Sequence, residues 1–241
     1  KAPPATVWKP SASSAAHSSA RELRDMGVTR DDIRVTADPV FHLAPAGEAR
    51  CAQLLSSTGI PNGRPFVAVS VRGWPGTGEF PRELARLCDH LHQAHGLEML
   101  FLLMQPDKDR EATRQVRERM STPSYVLDAP CTPRELMGVL GKAKLCLAMR
   151  LHTLIFAARM AVPSMGLVYD PKVDSYLREL DLPAAGNVDQ FDGGEAIRRA
   201  DQMLADYDGV LYRLKIRSGE LAQEARENER LLLKLLEESK R

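Results

Sequence analysis

The stretch Lys144–Met160, KLCLAMRLHTLIFAARM, decides the fold. Lys144 to Met149 is a short, almost continuously apolar run of the kind that suits a strand covered on both faces. Leu151 to Met160 then reads as an apolar helix, with only the corner Arg150-Leu151-His152-Thr153 between strand and helix core. Phe66 to Val71, Glu98 to Met104 and Ser124 to Leu127 are runs of the same strand type, and Pro163 to Tyr169 is a fifth.

Helical patterns separate these runs. Leu84, Leu87, Cys88 and Leu91 recur at i, i+3, i+4 and i+7, and Asp107 to Met120 continues the alternation. Thr132 to Leu140 carries Pro133 at its first turn, with Thr132 and Glu135 spaced as a capping box. Val173 to Leu180 is the last helix of the series. Five strands separated by helices predict right-handed crossovers in one α/β, mostly parallel, doubly wound sheet.

Outward from this centre the chain changes character. Residues 1–17 are rich in Ala, Ser and Pro and read as a linker. Ser18 or Ser19 is placed to cap a short helix through Met26, ended by a left-handed Gly27. Arg34 to Thr36 reads as a strand. Leu211, Leu214, Leu221, Ala225, Leu232 and Leu236 predict one or two amphipathic helices over 208–241.

Composition excludes several classes. Hydrophobic residues make up 44% and charged residues 27%, enough apolar side chain for a substantial core. Lys and Arg total 33 against 32 Asp and Glu, a net charge of +1 that provides no field for nucleic acid. Cys51, Cys88, Cys131 and Cys146 form no C-x-x-C pair, which fits reduced thiols better than a disulfide framework. No apolar run is long enough for a transmembrane span or a secretory signal, so the expected location is cytoplasmic.

Ligands of open parallel sheets gather at the carboxyl ends of the strands. Three loops there carry chemistry: Arg72 followed by Gly73, Gly76 and Gly78; Arg150-Leu151-His152; and Tyr169-Asp170-Pro171-Lys172. Cations at a helix start oppose the macrodipole, so Arg150 and His152 in that position point to an anionic ligand. In a purely structural role, Arg150 would pair with an acidic side chain and His152 with backbone. Asp170 reads equally well as a plain helix cap. Cys88, His92 and His95 share a helix face, but no fourth ligand is evident, and the expectation is no metal.

Ala37-Asp38-Pro39-Val40-Phe41, Val69-Ser70-Val71-Arg72, Met149 to Ala158 and Tyr169 to Val173 together resemble the polysaccharide pyruvyl transferases, most closely the bacterial CsaB type. The resemblance implies the C-terminal, Rossmann-like half of a GT-B fold over 60–207. It makes 18–45 a remnant of the N-terminal acceptor domain. It also implies phosphoenolpyruvate as donor, with no further cofactor, and a 4,6-ketal formed on N-acetylmannosamine with release of phosphate. The acceptor is then lipid-linked or polymeric, which sets the chain at the inner face of the membrane in peripheral association.

On that resemblance Arg72, Arg150, Leu151 and His152 hold the donor, with Lys172 facing the same site. His152 is the general acid and Arg150 its catalytic partner. A chain holding only the donor half would bind donor without turnover. Two alternatives stand beside this reading: a GT-B glycosyltransferase using a nucleotide sugar, and a non-catalytic Rossmann-like interaction module.

Overall fold

The computed structural model describes residues 15–29, 33–76 and 78–238. Six strands of four or five residues are each followed by a helix: β1 (Phe66–Ser70), α3 (Phe80–His95), β2 (Glu98–Leu102), α4 (Pro106–Arg117), β3 (Ser124–Leu127), α5 (Pro133–Leu140), β4 (Leu145–Ala148), α6 (Leu151–Arg159), β5 (Ser164–Val168), α7 (Pro171–Glu179), β6 (Ala184–Asn187) and α8 (Gly193–Ala205). Two further helices, α1 (Ala15–Asp25) and α2 (Glu48–Ser57), precede them, and α9 (Tyr207–Glu238) follows.

All strand pairs are parallel, in the order β3-β2-β1-β4-β5-β6. β1 lies between β2 and β4, with Ala68 opposite both Leu100 and Cys146. The chain therefore reverses its direction of growth between β1 and β4, and the connections leaving those two strands diverge. β1, β2 and β4 are buried at every residue. That explains why they read as continuous apolar runs rather than alternating ones.

Several local expectations are met. Thr132 Oγ1 accepts from the Glu135 N–H, and Glu135 Oε2 accepts from the Thr132 N–H at 2.7 Å, completing the capping box. Gly96, not singled out from sequence, ends α3 in the left-handed region at φ 65°. Gly27 is left-handed as well, at φ 87°. The four cysteines are unpaired. Burial pushes the Cys146 thiol up to about 12 and raises Cys51, Cys88 and Cys131.

Three expectations need correction. α1 begins at Ala15, so Ser18 and Ser19 lie within it rather than at its N-cap; residues 1–14 of the expected linker lie outside the described residues. Residues 34–36 pair with no described strand. The segment meets α9 instead, where the Thr36 hydroxyl donates to Asn228 Oδ1 at 2.6 Å and Asn228 Nδ2 donates to the next carbonyl, Ala37 O, at 2.9 Å. The C-terminal region, expected as one or two helices, is one. β6, with the sequence AAGN, is a half-exposed edge strand with too little apolar character to signal itself.

The segment after Thr36 is compact. Asp38 accepts from the Val40 N–H at 2.9 Å and starts a single 3-10 turn, Pro39–His42, that buries Phe41. α9 lies along this turn with Leu214, Leu221 and Ala225 buried. Beyond them Leu232, Leu233, Leu235 and Leu236 are exposed. No described helix is long and apolar enough to cross a membrane.

Candidate functional site

The carboxyl ends of β1 and β4 are tied together. Met149 N–H donates to Ser70 O at 2.8 Å, buried Thr153 donates its hydroxyl to Ser70 Oγ at 3.1 Å, and Arg72 N–H donates to Met149 Sδ at 3.4 Å. These bonds fix the corners that follow each strand, and so the starting points of the Arg72 and Arg150 side chains. Arg150 is the N-cap of α6 and makes no side-chain cap bond. The helix therefore opens with its first-turn N–H groups and its positive dipole end toward the strand ends.

A crevice of about 400 Å³ lies there. It is lined by Arg72, Arg150, Leu151, His152, Tyr169 and Lys172, over a floor that includes Met104 and Phe156. All five residues named from sequence for donor binding thus border one hollow, at the point where the strand order reverses. Among the described residues no Asp or Glu lines it. His152 is exposed and makes no hydrogen bond or ion pair among the described residues.

The cations are not equivalent. Among the described residues Arg72 has no carboxylate partner, and its Nε is buried without a hydrogen-bond acceptor. Two aromatic rings hold it: its Cζ lies 5.4 Å from the Tyr169 ring centre and 5.9 Å from that of Trp74, and the two rings meet edge to face at 4.8 Å. An N–H buried without an acceptor costs about 1–3 kcal/mol. A bound anion is one way to offset that cost.

Arg150 differs from the expectation of an unpaired guanidinium. Asp109, wholly buried on α4, accepts from its Nε at 3.1 Å and also from its Nη2, while Gln105 Oε1 accepts from Nη1 at 3.0 Å. The structural role weighed for Arg150 is therefore realised. It does not exclude a ligand, because a guanidinium carries five N–H donors and three are engaged. Lys172 is exposed, with Nζ 3.5 Å from Asp170 Oδ2, and Asp170 also caps α7 through the Lys172 N–H at 2.9 Å.

Asp109, Gln105 and Trp74 were not among the residues singled out from sequence, whereas Tyr169 was named there as part of its loop. A signal for Asp109 existed: Asp109, Thr113 and Val116 occupy the buried phase of α4 at i, i+4 and i+7. A carboxylate in that phase requires a partner. The cluster Cys88, His92 and His95 does not assemble. Cys88 is wholly buried, His92 Nδ1 lies 3.1 Å from Leu97 O, and His95 turns toward α8.

Comparison with known proteins gives both a family and a fold. The family model described as polysaccharide pyruvyl transferase matches residues 18–171. No curated protein sequence matches the chain. Among solved structures, the UDP-GlcNAc 2-epimerase from Neisseria meningitidis bound to UDP-GlcNAc is similar at TM-score 0.66 and 12% identity, over 91% of this chain and 60% of that one. A glycosyltransferase from Rickettsia africae is similar at TM-score 0.58 and 10% identity, covering 91% and 61%. The E. coli ADP-heptose LPS heptosyltransferase II follows the same fold at TM-score 0.52 and 12% identity, covering 68% and 53%. The fold is thus that of GT-B-type, Rossmann-like glycosyltransferases and epimerases. The chain spans 60% or less of the length of the Neisseria and E. coli proteins.

Proposed function

Because this chain belongs to the polysaccharide pyruvyl transferase family, we propose that the crevice between the β1 and β4 corners holds phosphoenolpyruvate as the donor of a pyruvyl group. The observation that carries this reading is a hollow bordered by two guanidiniums, an imidazole and an ammonium, with no lining carboxylate. Phosphoenolpyruvate presents a phosphate and a carboxylate, and guanidiniums match both with paired N–H donors. Arg72, held by Trp74 and Tyr169, is the principal anchor. Arg150 contributes the N–H groups that Asp109 and Gln105 leave over, and the α6 N-terminus adds its own.

The chemistry then falls to His152. Its imidazolium delivers a proton to the methylene carbon of the donor, leaving an oxocarbenium-like centre at the adjoining carbon. One saccharide hydroxyl adds there. The phosphate leaves with the electron pair of its C–O bond, and a second hydroxyl closes the ketal. Of the two hydroxyl protons, one restores His152 and the other goes to phosphate or solvent. Arg72 and Lys172 stabilise the departing phosphate. On this reading the acceptor is a lipid-linked or polymeric saccharide, with N-acetylmannosamine modified as its 4,6-ketal, met at the cytoplasmic face of the membrane.

A second reading is a nucleotide-sugar enzyme. It is favoured by the similar solved structures, one of which is bound to UDP-GlcNAc. Against it stands the lining without a carboxylate, since a ribose hydroxyl pair is commonly held by one.

A thermal-shift and calorimetric titration separates the two. Phosphoenolpyruvate should raise Tm and bind one per chain, whereas uridine and guanosine diphosphates should not. The reverse result supports the second reading, and a response to neither supports an interaction module with no ligand in its crevice. In a protein carrying both domains, His152→Gln should lower kcat by about 10²-fold or more with little change in the KM for donor.

A further inference from the structure

We propose that His90 and His95 of α3 and Asp201 of α8 form a binding site for one divalent transition-metal ion of the zinc class. His90 Nε2 lies 2.8 Å and His95 Nε2 2.7 Å from the same oxygen, Asp201 Oδ1. One ligand atom from each of the three residues lies within 4.8 Å of the others. Two imidazole nitrogens and a carboxylate oxygen are a donor set suited to zinc and its neighbours rather than to calcium or magnesium, which take all-oxygen shells.

The geometry needs little change to admit the ion. Bonds of about 2.0–2.1 Å at the tetrahedral angle separate neighbouring ligand atoms by about 3.3 Å. The present N···O distances therefore have to open by roughly 0.6 Å, and the two imidazole nitrogens, within 4.8 Å of one another, have to close to the same spacing, by χ rotations of side chains that are 29%, 30% and 43% exposed. That exposure also gives the ion a route in and leaves a fourth position for water. The Asp201 carboxyl is held below its usual range because hydrogen bonds from His95 and His90 outweigh its partial burial.

Placement sets the role. α3 runs back from the carboxyl end of β1, so its last turn, with His95 beside Gly96, lies at the amino end of the sheet, opposite the crevice of Arg72 and His152. The ion would not meet the donor. It would tie α3, the crossover between β1 and β2, to the helix that follows β6. Asp201 is 106 residues from His95 in sequence, so an unfolded chain offers no such site, and binding stabilises the folded state.

The test is titration of the chelator-treated chain with Zn²⁺ by calorimetry and with Co²⁺ by visible absorption. One ion per chain is expected, with the d–d band of a four-coordinate site and a rise in Tm of several degrees at saturating Zn²⁺. His90→Ala and His95→Ala should each weaken binding by at least about tenfold, while His92→Ala and Cys131→Ala leave it unchanged. Asp201→Asn keeps the side-chain shape and should weaken binding likewise, which reports on ligation even where an alanine variant fails to fold. Absence of saturable binding, or affinities indifferent to His90→Ala and Asp201→Asn, would overturn the site. Neither readout uses phosphoenolpyruvate.

Discussion

Asp109 Oδ1 receives both Nε and Nη2 of Arg150, and the carboxylate is wholly buried while the guanidinium keeps an edge on the crevice. The pair joins the corner after β4 to the first turns of α4 and fixes the plane of the guanidinium. It is a structural ion pair as well as a wall of the candidate site, and the two roles have to be measured separately.

Arg150→Ala should therefore destabilise the fold by about 3–5 kcal/mol, because it strands a buried charge. The double variant Arg150→Ala/Asp109→Ala should recover part of that loss, as seen by urea denaturation. A cost below about 1 kcal/mol for Arg150→Ala would show that the pair holds nothing. For the same reason, loss of donor binding in Arg150→Ala would not identify a donor ligand.

Arg72 is the cleaner probe. Its contacts with the rings of Trp74 and Tyr169, worth about 0.5–2 kcal/mol, are offset by the cost of the unanswered Nε–H. Arg72→Ala should leave the urea midpoint close to that of the unaltered chain and abolish the Tm shift caused by phosphoenolpyruvate. Trp74→Leu should weaken the shift without removing it. Full retention of the shift in Arg72→Ala would remove Arg72 from the site.

Glu135 gives a pH prediction. The Thr132 backbone N–H, then the Arg50 guanidinium and the Thr132 hydroxyl, hold its carboxyl at about 2, against an ordinary value of 4.5. A depressed value in the folded state means that this contribution is present in full above pH 4.5. It is lost as pH falls from 4.5 toward 2, where the folded protein must take up the proton. Glu135→Gln should flatten the stability profile over that interval in acid titrations followed by circular dichroism; an unchanged profile would contradict the capping-box assignment.

Tyr176 carries a buried hydroxyl that meets no hydrogen-bond partner among the described residues, and burial raises its phenol well above the usual range. Tyr176→Phe removes only that oxygen. Stability should stay level or rise by about 1 kcal/mol in a thermal or urea melt. A fall of that size would reveal a partner such as an enclosed water.

Much of this was legible in the chain. The run KLCLAM followed by RLHTLIFAARM announces β4, its corner and α6, because a strand buried on both faces must be apolar throughout and a helix behind it must be too. The capping box at Thr132 and the Asp170 cap were visible for a similar reason: each is satisfied by neighbours within three residues. β6 was not visible, since an edge strand of Ala, Gly and Asn lacks the apolar signal.

Sequence alone thus determined the parallel α/β class, the corners that bear Arg72, Arg150 and His152, and the family. All three rest on local periodicity or on motifs whose residues are near one another in the chain. Tertiary structure decided which strands adjoin, that Arg150 is shared with Asp109 from α4, that Trp74 and Tyr169 close on Arg72, and that His90 and His95 meet Asp201. Apart from Trp74, which stands two residues from Arg72, each of these contacts joins residues well separated along the chain. Such pairings follow from how the helices pack across the sheet, and no spacing along the chain encodes them.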